Sequence, residues 1–315
     1  MGAYLLKRIG ALIPTLLIMS VIVFLIVYLI PGDPARVMLG EGADEDSVRQ
    51  LRQQMGLNEP LLRQYVDWAL SALRGDMGDS YVLRKPVTQA ILEYMRPTLS
   101  LAVAAEVFAL AIALPLGLQA ASRRGGWADR LLSAYSLLGM TVPGFLLSLF
   151  LVLLFSVKLH WLPVSGYAPL STGLGNFLKY LILPAVSVGV LMSALIARMV
   201  RASVLEVRNQ DYVRTARAKG VRETRILYRH MLRNALIPIL TVVGGTFGTL
   251  VAGAAIVETI FNIPGMGQLL VSSVSHRDYA VVQGIVLVIA GMYVLVNLAV
   301  DLLYAAVDPR VKIRG

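Results

Sequence analysis

Six stretches of this chain are apolar enough, for long enough, to cross a bilayer, and that feature excludes most folds. In lipid, a run of about 20 apolar residues has to satisfy its backbone polar groups internally, which a helix does. The stretches occupy 9–30, 98–122, 131–157, 180–200, 235–257 and 280–306. The chain is 57% hydrophobic and 15% charged, with a mean hydropathy of +0.70, which is too oily for a water-facing globule of 315 residues. The expectation is an all-α polytopic membrane protein with six transmembrane helices. Lys7, Arg8 and the small Ala35 give the first run some look of a signal peptide. Its 22 residues exceed the roughly 7–15 of a signal core and cover ~33 Å as a helix, so it reads as an uncleaved anchor.

Charge orients the spans. Lys+Arg exceed Asp+Glu by 10, but long apolar stretches separate the basic residues, which points to membrane and away from nucleic acid. With the N-terminus inside, the inner segments hold 18 basic residues: Lys7, Arg8, Arg123, Arg124, Arg130, ten between Arg198 and Arg233, and Arg310, Lys312 and Arg314. The two short outer loops hold Lys158, Lys179 and Arg277. Both termini are therefore expected in the cytoplasm. Segment 31–97, with eight basic and ten acidic residues over 67 positions, is too long to govern topology. Pro31-Gly32-Asp33-Pro34 ends the first span, and Asp44, followed by Glu45 and Asp46, looks like a helix cap. Val48, Leu51 and Met55 then share a face before the stop at Gly56. A second amphipathic helix, Pro60 to Leu73, would turn Leu61, Tyr65, Trp68 or Ala69, and Leu73 inward and end at Gly75. The segment reads as a small extracytoplasmic helical cap, the alternative being a mobile loop. The divisions expected are 1–30, 31–97 and 98–315.

Chemistry of the covalent kind finds few footholds. There is no cysteine, and His160, His230 and His276 lie far apart, so neither a catalytic cluster nor a metal site is expected. No GxxxxGK[ST] loop is present to cradle ATP phosphates, so any ATP-derived work has to come from a partner. Inside the spans stand Glu106, Arg198 and Asp301, which are expensive in hydrocarbon unless they face a partner or water. Glu106 reads either as a group on a translocation path or as a hydrogen-bonded carboxyl between helices; Arg198 and Asp301 read as snorkelling or paired. Gly244, Gly245, Gly248 and Gly253 permit close helix contact, by static packing or as a sliding seam against a second subunit. Pro115, Pro143, Pro184 and Pro238 imply kinks.

The informative loop is 201–233, RASVLEVRNQDYVRTARAKGVRETRILYRHMLR. Asp211 is placed to cap a short helix, Ala216 and Ala218 favour it, Gly220 permits a left-handed end, and a new helix starts near Arg222. Small side chains at Thr215, Ala216 and Ala218 would let a protein groove approach the backbone. A basic loop held on anionic lipid is the other reading, although that role favours bulky apolar residues.

Asp211-Tyr212-Val213-Arg214-Thr215-Ala216-Arg217-Ala218-Lys219-Gly220, followed by His230-Met231-Leu232-Arg233-Asn234-Ala235-Leu236-Ile237-Pro238, resembles the coupling loop of binding-protein-dependent ABC importer permeases. The resemblance is to the dipeptide, oligopeptide, glutathione and nickel branch. It extends over the Pro-Gly-Asp-Pro turn, Gly75-Asp76-Met77-Gly78, Glu258-Thr259-Ile260-Phe261, Pro264-Gly265-Met266-Gly267, Arg277-Asp278-Tyr279 and Asp308-Pro309. The broader signature, Glu-Ala-Ala, three residues and Gly, stands here as Arg214, Thr215, Ala216 and Gly220, so no salt bridge is carried over from the usual glutamate. The resemblance implies a type I importer permease fold in a bacterial inner membrane. It implies partners as well: a second homologous permease, two ATPase subunits that bind ATP and Mg, and an extracytoplasmic solute-binding protein. This chain would hold no cofactor and move di- or oligopeptides or a peptide-like solute. Asp211, Tyr212, Thr215, Ala216, Ala218 and Gly220 would then contact an ATPase, and Glu258, Pro264, Gly265 and Gly267 would belong to an outer gate loop. From the residues alone that last region reads equally as a surface loop, and a secondary transporter or channel without ATPases is the competing class.

Overall fold

The computed structural model describes residues 2–29, 33–40 and 42–307. Pro31, Gly32, Asp308, Pro309, Arg310, Lys312 and Arg314 lie outside them, as do the side chains of Lys7 and Arg8. The chain is helical almost throughout. Helix α1 (Gly2–Leu29) is followed by three short helices, α2 (Pro34–Leu39), α3 (Glu45–Gln54) and α4 (Leu61–Leu73), then by a two-residue hairpin, β1 (Asp79–Ser80) and β2 (Lys85–Pro86). Next come α5 (Val87–Ser122), α6 (Trp127–Thr141), α7 (Gly144–Leu151) and α8 (Leu174–Arg208). The last third holds α9 (Asp211–Ala218), α10 (Glu223–Arg225), α11 (Leu232–Gly253), α12 (Ala255–Ile260), α13 (Met266–Ser275) and α14 (Tyr279–Val307).

Four continuous helices among the described residues are long and apolar enough to cross a membrane: Val87–Ser122, Leu174–Arg208, Glu223–Ala252 and Tyr279–Tyr304. The third apolar run is not one straight span. It breaks at Val142-Pro143, and the segments Trp127–Thr141 and Gly144–Lys158 meet at 99°. Proline disfavours helical geometry in the residue before it, and Val142 is extended at φ −80°, ψ 119°. The other expected kink positions, Pro115, Pro184 and Pro238, lie inside helices that continue across them. In α1 the apolar part among the described residues is Leu12–Tyr28.

Glycines set the closest approaches. A Cβ on Gly117 would stand 2.7 Å from the Ala197 carbonyl, and one on Gly189 would stand 2.8 Å from that of Ala105, so α5 and α8 lie nearly backbone to backbone at two levels. Gly117→Val is expected to force these helices apart and lower the thermal midpoint of the purified protein; an unchanged midpoint would contradict the packing. Gly244 and Gly248 do the same for α11 against Val300 and Tyr293 of α14. That contact is within the chain, which favours static packing over a seam against a second subunit for those two glycines.

The short helices after α1 follow their caps. Asp33 accepts from the Ala35 amide at 3.1 Å and pairs with Arg52 at 2.6 Å, joining α2 to α3. Asp44 caps α3 by accepting from Ser47, whose donors hold its carboxyl below the usual range. Tyr65 and Trp68 seat α4 on Phe24 of α1, with ring centroids 5.5 and 5.8 Å away. Leu61 and Leu73, expected inward, are exposed, as is Met55 at the end of α3. Leu61 opens α4, Leu73 closes it and Met55 caps α3, so each stands at a helix end.

Candidate functional site

The core divides into two clusters along α5. One surrounds its beginning, with Val87, Leu101, Leu181, Phe261, Met266 and Ile285; the other surrounds its end, with Ala120, Val200, Val204, Val213, Ile226 and Met231. With 36 residues at ~1.5 Å rise, the two tips of α5 lie some 50 Å apart, more than a hydrocarbon core is thick, while the clusters themselves adjoin between Ala105 and Ala109.

At the far end of α5 lies the 201–233 segment. α9 is an eight-residue helix, and its cap position is Gln210, not Asp211. The backbone turns one residue earlier than the capping preference suggests, leaving Asp211 in the first turn, exposed and 3.7 Å from Arg214. Val213 is fully buried in the second cluster, and Ala216 packs against that cluster. Tyr212, Thr215 and Ala218, spaced by three, therefore point away as one exposed face. Partial desolvation raises the Tyr212 phenol above its ordinary value, against the opposing effect of a hydrogen bond with Asn234.

Gly220 ends α9 at φ +72°, donating to the Arg217 carbonyl at 2.9 Å while Val221 donates to that of Ala216 at 3.2 Å. These paired bonds form a Schellman cap, and its usual apolar contact is supplied by Val221 and Ala216, which pack against the same cluster. Arg217 pairs with Glu223 at 2.7 Å across the elbow. From Glu223 the helix runs without interruption to Ala252, through a widened turn at Ile226–Met231. The elbow is thus joined directly to a span.

Sequence reasoning missed what holds this platform. Arg201 on α8 forms a forked contact with Asp129 of α6, its second bond 3.0 Å long, and the same carboxylate accepts from Gly125 at 2.8 Å. Arg208 donates to the Ala121 carbonyl at 3.3 Å. A lone acid in an otherwise basic short segment, Asp129 after Arg123 and Arg124, was the available signal.

At the near end, Glu258 is completely buried and Thr98 nearly so. Thr98 Oγ1 donates to Glu258 Oε1 at 2.6 Å and accepts from the Met266 amide at 2.8 Å; the Gln268 amide donates to Glu258 Oε2 at 2.9 Å. Glu258 and Thr98 together satisfy amides in the first turn of α13, where the helix dipole favours negative charge. Gly265 makes room, since a Cβ there would lie 2.2 Å from the Glu258 carboxyl carbon. Gly267 lets the turn lie 2.6 Å from Ala255 Cα by the same measure, and Pro264 is exposed. This region is a packed hub of α5, α12 and α13, and the surface-loop alternative does not describe it. Beside it, Ser80 of the hairpin donates to the buried Asp278 that precedes α14, and Tyr81 donates to the His276 carbonyl. The hairpin that follows the Gly75–Gly78 motif thereby meets the Arg277–Tyr279 motif.

Glu106 sits between α5 and α11 and accepts from Thr246 Oγ1 at 3.0 Å; its second oxygen has no partner among the described residues. Arg198 donates to the Met140 sulfur at 3.2 Å. Among the described residues no group of His, Cys, Asp and Glu is arranged to hold a metal.

Known proteins are similar to this chain in sequence over nearly its whole length. The probable peptide ABC transporter permease protein of Sinorhizobium fredii is 41% identical over 312 residues, covering 99% of this chain and all of that protein. The glutathione transport system permease proteins of Shigella flexneri and Pectobacterium atrosepticum are 43% and 44% identical over 309 residues, covering 98% of each chain. The fold is similar to a chain of the MetNI methionine ABC transporter in an inward-facing conformation, with TM-score 0.57 and 23% identity over 70% of this chain and 97% of that one. Residues 1–102 match the N-terminal model of the binding-protein-dependent transport system membrane component, and 113–313 match the model of the inner membrane component itself. The chain therefore belongs to the binding-protein-dependent transport system inner membrane component family, as a permease of an ABC importer.

Proposed function

We propose that the α9 elbow is the surface on which an ATPase subunit docks, and that ATP-driven closure of two such subunits moves the permease between inward- and outward-facing states. The observation that carries this reading is the division of α9 into a buried anchor, Val213 and Ala216, and an exposed face, Tyr212, Thr215 and Ala218, with Asp211 and Gly220 at its ends. A partner that grips this face moves Glu223–Ala252 with it. The coupling requires that the groove bind the elbow differently in the two states, because equal affinity shifts nothing.

In this reading α1 and the bent α6–α7 pair complete six spans, both termini are cytoplasmic, and 31–97 forms the extracytoplasmic cap. The chain itself is non-catalytic and holds no cofactor; ATP and Mg belong to the ATPases, and a second homologous permease and a solute-binding protein complete the assembly. The cargo is a peptide or peptide-like solute, in keeping with the peptide and glutathione relatives. Glu258, Pro264, Gly265 and Gly267 shape the outer gate, and Glu106, although packed between helices, lies beside the path.

Because the chain has no cysteine, Thr215→Cys introduces a unique thiol. In membranes holding the whole transporter, this thiol is expected to cross-link to an ATPase chain, and more strongly in one nucleotide state than the other. Labelling by a membrane-impermeant reagent from the exterior, or no cross-link to any polypeptide, would refute the assignment and favour a transporter that works without ATPases.

A further inference from the structure

A cavity of about 540 Å³ opens at the near end of α5, walled by α1, α2, the α3–α4 connection, α4, the hairpin and the start of α14. None of the proposed coupling residues touches it, and it falls within the size range of small-molecule sites. Its lining is one-sided in charge. Glu59, Asp67, Asp76, Asp79 and Asp278 contribute, and no Lys, Arg or His does, although segment 31–97 carries eight basic residues. Three of these acids are occupied: Glu59 and Asp67 lie 3.3 and 4.0 Å from Arg63, and Asp278 accepts from Ser80. Asp76 accepts only the amide of Gly78, at 3.0 Å, and neither it nor Asp79 has an ion-pair partner among the described residues.

Five aromatic rings share the rest of the wall with aliphatic and uncharged polar residues such as Met38, Met55, Leu57 and Gln64. Phe24 and Trp68, 5.8 Å apart, face it together with Tyr28 and Tyr81. Tyr279 also lines it, only 7% exposed, and its hydroxyl has no partner among the described residues. Exposed carboxylates without ion-pair partners among the described residues, sharing one cavity with aromatic rings, suit a cation, because the ring quadrupole and the carboxylate charge act in the same sense. We propose that this cavity binds a small organic cation, a primary ammonium or guanidinium carried on a short apolar body, with Asp76 and Asp79 meeting the charge and Phe24 and Trp68 the body. The inference goes beyond the coupling reading and does not depend on it.

Trp68 supplies the readout. Trp127 and Trp161 are 66% and 65% exposed, so W127F/W161F leaves one tryptophan, in the cavity wall. The full chain in nanodiscs of neutral lipid is titrated with n-butylguanidinium, and a saturable change in Trp68 emission is expected. Asp76→Asn with Asp79→Asn should weaken the apparent affinity at least ~10-fold while the circular dichroism spectrum is retained. On the unmodified cavity, n-butylurea, of nearly the same shape without the charge, should give no saturation. A linear response to the guanidinium, or equal binding of the urea, overturns the proposal. If the double variant misfolds, the guanidinium-against-urea comparison decides alone. ATPase coupling enters neither measurement, so failure here leaves the coupling reading standing, and the reverse holds too.

Discussion

Gly220→Pro should leave the protein inserted and assembled but abolish solute uptake, with ATP hydrolysis no longer tied to transport. Gly220 has open space where a Cβ would go, so the effect does not come from a clash. It comes from the backbone. At φ +72° a non-glycine residue costs ~1–2 kcal/mol, and proline, fixed near −65°, cannot adopt that angle at all. Proline also removes the donor that reaches the Arg217 carbonyl, a further ~1 kcal/mol, and disfavours the near-helical conformation of Lys219 before it. A cost on the order of 2–3 kcal/mol lowers the population of the docking-competent elbow roughly 30- to 150-fold. Gly220→Asn, which tolerates the left-handed region, is expected to keep most of the uptake. Uptake at the unmodified rate in the proline variant would sink the idea that this elbow transmits the motion.

The second large effect is expected at the hub. Glu258→Ala leaves the Gln268 amide and the Thr98 hydroxyl without their acceptor in a buried site, at ~1–3 kcal/mol each, and leaves a hole where the carboxyl was. A loss on the order of 3 kcal/mol in a chain of 315 residues corresponds to a fall of roughly 5 °C in the thermal midpoint of the detergent-solubilised protein. Gly265→Ala should fall in the same direction, because its methyl would occupy the space of that carboxyl. Combining the two should cost less than the sum of the singles, since removing the carboxyl vacates the space the methyl needs. An additive pair would show that the residues do not share the site as drawn.

Much of this was legible before any coordinates. Apolar runs give the helices because lipid leaves a backbone no other choice, and Asp44 and Gly220 mark a helix start and a helix end through local chemistry that needs no neighbour. Other features escaped for stated reasons. The break at Pro143 and the continuity through Pro115, Pro184 and Pro238 look alike in sequence, and only tertiary packing separates them. The partnership of Thr98 with Glu258 spans 160 positions, and Arg201 with Asp129 spans 72, so no local pattern announces either. The motifs at Gly75–Gly78 and Arg277–Tyr279 could be recognised separately, but not the contact of the hairpin after the first with the second.

Helix α5 meets the Glu258 hub at Thr98, a third of the way along its 36 residues, and finishes under the α9 platform, and the contact of Glu106 with Thr246 falls close to its midpoint. If a partner docks on α9 as proposed and α5 pivots at this contact, a sideways push at the tip under α9 would reappear, reversed in sign, at the other, so that narrowing on one side of the bilayer and widening on the other would become a single movement.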